Sequence, residues 1–87
     1  MRNIHKPKVS VPLVIVEWVD SAYSIGWLTH HDDAEPQIKK CCSVGWVRRR
    51  TKEAITLTAN LTLEDNPHRC CEISIPTKAV LRIHELK

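Results

Sequence analysis

The sequence predicts an all-β fold: five short strands wrapped into a small barrel. Three observations lead there. Apolar and polar residues alternate at a period of two in short runs, most clearly in AITLTANLTL, residues 54–63. Turn-forming residues separate those runs at short intervals. The pattern shows neither the 3.6-residue apolar period of a long amphipathic helix nor an internal repeat. A bent sheet closing on itself buries one face of every strand and removes exposed edges, which suits a chain of 87 residues with only a modest core to build.

Each element follows in order. Residues 1–8 are polar and basic with Pro7, and read as a flexible arm ahead of one domain over residues 9–87. Apolar character begins at Val9, but Pro12 donates no ladder hydrogen bond, so the firm part of the first strand is Leu13 to Val19. DSAYSIGW, residues 20–27, changes to turn-compatible residues and is expected to be a loop. HHDDAEPQ, residues 30–37, carries consecutive ionisable groups without an apolar period, giving an exposed loop with at most one helical turn capped by Asp33.

CCSVGWVRR, residues 41–49, is expected to be a strand kinked at Gly45, with Cys42, Val44 and Trp46 on one side. After a basic turn, the run from Ala54 puts Ile55, Leu57, Ala59 and Leu61 on one face and threonines on the other. EDNPHR, residues 64–69, turns the chain, and Cys70 to Ile75 returns with Cys71, Ile73 and Ile75 together. Pro76 ends that strand, residues 77–79 make a tight or helical turn, and Val80 to Leu86 alternates as a fifth strand.

The composition is that of a folded chain, with 43% hydrophobic and 26% charged residues. Phenylalanine is absent, so three tryptophans and Tyr23 are the only large rings. A net charge of +3 permits nucleic acid as a partner without arguing for it. Glu17 and Asp20 interrupt the apolar run near the start, so neither a signal peptide nor a membrane span is expected. The reading is a cytoplasmic protein whose four cysteines are reduced thiols, mostly buried.

VEWVDS near the start, SVGW in the middle and IPTKAVLRIHEL at the end resemble a group of small phage-encoded proteins of unknown function. The similarity spans most of residues 13–86. Trp18, Asp20, Ser21, Gly26 and Trp27 match that group's strand end followed by a glycine–tryptophan pair, and Ile75, Pro76, Ala79 and Val80 match its closing turn. The resemblance implies a phage or prophage origin, location in the bacterial host cytoplasm and an SH3-like barrel. It brings no established activity, and it does not extend to the paired cysteines or the arginine run.

Several residue sets invite a function, each beside a blander reading. Cys41, Cys42, Cys70, Cys71 and His30, His31 and His68 suggest zinc, but adjacent strand residues point to opposite faces, so one cysteine of each pair at most could converge on an ion. No metal and no cofactor are therefore expected. His68 lies on the same side of an extended chain as Cys70, yet no third group or oxyanion motif accompanies them, and the chain reads as non-catalytic. Arg48, Arg49 and Arg50 with Lys39, Lys40 and Lys52 could line a hairpin end where Trp46 and Trp27 stack bases, although a solvated strand end is the favoured explanation. Trp18, Asp20, Ser21 and Trp27 make a polar loop between two rings, a plausible recognition surface, against a reading in which Trp18 fills the barrel and Asp20 caps a turn.

The expectation is thus a binding protein that engages a host bacterial protein or complex through Trp18, Asp20, Ser21 and Trp27 or a β edge. The alternative is a nucleic-acid or nucleotide binder using Arg48, Arg49, Arg50 and Trp46. A homo-oligomer sheltering a small signalling molecule is a third.

Overall fold

The computed structural model describes residues 4–21, 27–30 and 35–87. Five strands form one antiparallel sheet: β1 (Leu13–Ser21), β2 (Ile38–Arg50), β3 (Ala54–Leu61), β4 (Arg69–Pro76) and β5 (Val80–Leu86). Their order across the sheet is β4-β3-β2-β1-β5. A 3-10 turn, Thr77–Ala79, joins β4 to β5 where the sequence predicts a tight or helical turn. All five expected strands are present, β1 running on to Ser21 and β2 gaining residues 38–40 and Arg50. Tyr23, Gly26, His31 and the expected cap Asp33 lie outside the described residues.

The expected closed barrel is not formed, because β4 and β5 remain the two edges of an open sheet. Both edges depart from regular pleating, which blunts further pairing: the β1/β5 register shifts beside Trp18, and Cys71 in β4 has φ 67. The sheet is nevertheless strongly curled. Laid flat, its edge strands would be four spacings, about 19 Å, apart. Only Thr77–Ala79 separate the end of β4 from the start of β5, and a 3-10 rise covers roughly 8 Å over that step. The Thr77 amide donates to the Glu53 carbonyl at 2.8 Å, pinning this link to the β2–β3 turn.

Curling creates the core. Val14 and Val16 of β1, Ile55 and Leu57 of β3 and Ile75 of β4 are buried together, with Trp18, Val47, Ala79, Val80 and Ile83 packed around them. Gly45 sits opposite Val14 in the central strand, and a Cβ there would fall 2.8 Å from the Thr58 carbonyl oxygen. That close approach calls for glycine, and the β1–β2 register runs unbroken through it.

Face assignments fail where a strand loses a neighbour or bulges. On β3, Ile55 and Leu57 are buried as expected, but Ala59 is exposed and Thr58 buried, because the ladder to β2 ends at Trp46↔Thr58. The Thr58 hydroxyl lies 3.3 Å from the Cys70 carbonyl oxygen, so its burial leaves no unmet polar group. Of Cys71, Ile73 and Ile75 on β4, only Ile75 is buried. On β5 the expected alternation breaks because Val80 pairs with Trp18 and Ile83 with Val16, leaving Leu81 exposed between them.

The β1–β2 hairpin outruns the sheet. β1 pairs with β5 only as far as Trp18, and β2 pairs with β3 only from Trp46 onward. Among the described residues, 19–21 and 38–40 therefore pair only with each other, as a two-stranded ribbon. Residues 38–45 of β2 have no strand on their second side among the described residues.

Candidate functional site

Of the expected recognition residues, Asp20 and Ser21 lie on the ribbon, Trp18 precedes it on β1, and Trp27 lies in the segment between β1 and β2. Trp18 is half-buried against the core, and its indole Nε1 donates to the Ser43 Oγ at 3.0 Å, so β2 holds the ring in place. Asp20 and Ser21 are exposed at the strand end; the Asp20 Oδ1 accepts the Ser21 amide at 2.8 Å, the local cap anticipated for it. Asp20 also faces Lys39 across the ribbon, an opposite-charge cross-strand pair. Trp27 is fully exposed, and Leu28 beside it is 65% exposed. Ile38 and Val44 on the unpaired side of β2 are exposed too. The structure therefore makes Trp18 a packed support and leaves Trp27 as the free ring.

The basic residues disperse. A register shift between Val47 and Arg49 places Arg48 at a bulge, where its Nε lies 3.0 Å from Glu72 Oε2. Arg69 reaches the same oxygen at 2.9 Å, so one carboxylate engages two guanidinium groups. Arg50 is paired opposite Ile55 and lines an open trough of about 580 Å³ with Arg82 and Glu85, over a floor that includes Val14 and Ile83. Arg49 is exposed. Trp46, offered as a stacking ring, is half-buried and shares a 260 Å³ pocket with Val9, Val11, Asn66 and Pro67. The arm that helps to cover it is tethered, Lys8 pairing with Asp65 at 2.8 Å and Pro12 accepting the Val47 amide.

The cysteines differ from expectation. Cys42, Cys70 and Cys71 are exposed and only Cys41 is half-buried, its Sγ 3.7 Å from the Lys39 carbonyl oxygen. Cys41 and Cys42 lie in unbroken antiparallel register with β1, so their side chains take opposite faces as the zinc argument assumed. Cys70 and Cys71 break that rule: their sulfurs are 3.2 Å apart. The cause is the left-handed backbone of Cys71, an arrangement that costs a non-glycine residue about 1–2 kcal/mol. The hydrogen bond with Cys71, followed by the charge of that sulfur, pushes the Cys70 thiol above its ordinary value. His68 is engaged by Glu64, its Nδ1 lying 2.9 Å from Glu64 Oε2. Among the described residues no group of three or more His, Cys, Asp or Glu is placed to hold a metal ion. Two identical Cys-Cys dipeptides carry no signal of which one converges; the sequence reading missed this pair for that reason.

Comparison with protein-family models, with curated proteins and with solved structures finds no match to this chain.

Proposed function

We propose that the chain is a small, non-catalytic, phage- or prophage-encoded binding module of SH3-like design that engages a host bacterial protein or complex in the cytoplasm. The carrying observation is the β1–β2 hairpin: among the described residues the β2 edge is unpaired over residues 38–45, with Ile38 and Val44 exposed, and the segment between the two strands carries a fully exposed Trp27. An isolated two-stranded ribbon is marginal in water, and an added strand would satisfy its outward amides and carbonyls. An exposed tryptophan on the segment that joins these strands is the kind of anchor that dominates protein interfaces. Lys39 and Lys40 on the same edge suit an acidic extended segment of the partner. The SH3-like reading draws on the strand order and on the 3-10 turn between the last two strands, with the final edge left open.

The test is capture from a bacterial lysate on tagged protein, in nuclease-treated and untreated halves, repeated with Trp27→Ala and Val44→Asp. Both positions are exposed, so neither change should disturb the core. A stoichiometric protein retained after nuclease and lost with both variants supports the reading. Retention of nucleic acid alone, stripped by salt, overturns it.

A further inference from the structure

We propose that Cys70 and Cys71 form a chelating dithiol that binds a thiophilic trivalent metalloid centre, such as a monosubstituted arsenic(III) hydroxide. This goes beyond the proposed protein binding and is independent of it. The two sulfurs lie 3.2 Å apart on the surface, next to His68, Arg69 and Glu72.

The separation selects the ligand. For sulfur bonds of about 2.3 Å, as thiolates make to zinc, 3.2 Å subtends roughly 90° at the bound atom. A tetrahedral ion with the same bonds needs sulfurs about 3.8 Å apart, and a linear two-coordinate ion about 4.6 Å. A pyramidal trivalent centre with a bond angle near 90° fits without rearrangement. Such a centre brings its own third substituent and needs only two donors from the protein. The neighbouring groups are already engaged: the His68 ring lies against Glu64, and Glu72 is held by Arg48 and Arg69.

The step exchanges ligands without redox change. Two arsenic–oxygen bonds break, two arsenic–sulfur bonds form, the two thiol protons leave with the two hydroxides as water, and arsenic stays trivalent. The exchange releases no net proton, so affinity does not rise with pH while both groups are thiols, whereas the rate of binding rises as pH approaches the range where the Cys70 thiol ionises, because the thiolate is the attacking form.

The same chain supplies a control. Cys41 and Cys42 are equally adjacent in sequence, but regular pleating sends them to opposite faces of the hairpin, so that pair cannot close the chelate.

The test is titration of the fully reduced protein with phenylarsine oxide, followed by intact-mass spectrometry and a count of free thiols. One adduct per chain is expected, the count falling from four to two. The adduct should resist 2-mercaptoethanol and yield to a small dithiol. Cys70→Ser and Cys71→Ser, both at exposed positions, should each weaken binding by about 100-fold or more, the loss of an intramolecular second bond. The Cys41→Ser/Cys42→Ser double variant should bind as the parent does. Circular dichroism of each variant confirms that the sheet is intact. A monothiol-resistant adduct on Cys71→Ser, or one of equal strength on a chain keeping only Cys41 and Cys42, overturns the proposal.

Discussion

Replacing Gly45 by alanine tests whether β2 and β3 approach as closely as described. The new methyl would sit 2.8 Å from the Thr58 carbonyl oxygen and 3.1 Å from the Leu57 Cβ. Both atoms are fixed to the β3 backbone, so no side-chain rotation relieves the contact, and the strands must part beside the Trp46↔Thr58 pair. Overpacking of this kind costs about 1–3 kcal/mol. Alanine returns about 0.4–1 kcal/mol by restricting the unfolded chain. The φ of Gly45 lies outside the left-handed region, so the penalty is steric alone. A net loss of about 1–2 kcal/mol lowers Tm by roughly 4–16 °C for a domain of this size. Thermal and urea unfolding followed by tryptophan fluorescence and circular dichroism would measure it, with Val44→Ala at the neighbouring exposed position as a control expected to stay within about 0.5 kcal/mol. A Gly45→Ala protein as stable as its parent would refute the close β2–β3 approach.

Four further outcomes follow from the same structure. Ile75→Ala should cost about 2–5 kcal/mol in urea unfolding although it lies on an edge strand, whereas Ile73→Ala, 38% exposed on that strand, should cost under about 1 kcal/mol; equal costs would argue against the curled sheet. Cys71→Gly should raise stability by about 1 kcal/mol by removing the Cβ from a left-handed backbone, and a lower urea midpoint would contradict that conformation. Because the Cys70 thiol is raised, the folded state favours its proton: that stabilisation is complete below the unfolded thiol range and is lost as pH rises through the folded value. Iodoacetamide should accordingly alkylate Cys70 at pH 8 more slowly than a cysteine in an unstructured peptide, and Cys71→Ala should accelerate it; an unchanged rate speaks against the sulfur pair. Glu72→Gln should cost under about 1 kcal/mol at low salt and nothing measurable in 1 M salt, since its arginine partners are substantially exposed.

Strand positions were legible because period-two alternation and turn residues act locally, and five expected strands are five observed ones. The faces were less so. Ala59, Ile73 and Leu81 were placed by strict alternation, yet Ala59 lies where a ladder ends, Leu81 where a register shifts and Ile73 on an edge strand, and exposure there depends on neighbours that no local window contains. The site residues divide in the same way. A turn cap for Asp20 could be read from its type and position, whereas the support of Trp18 by Ser43 joins residues 25 apart. Arg48, Arg49 and Arg50 look like one basic run in the chain; a bulge turns the first to Glu72 and leaves the last in the trough.

By itself, then, the sequence determined an all-β chain with five strands, their approximate ends and the turn before the last strand, all consequences of short-range backbone chemistry. The tertiary structure alone decided that the sheet curls without closing, that Ile75 is buried while Ile73 is not, and that Trp27 stands clear of the protein. It also decided that one Cys-Cys pair converges while the other splays. Those outcomes rest on register, bulges and one left-handed residue, and each is set by contacts between segments far apart in the chain.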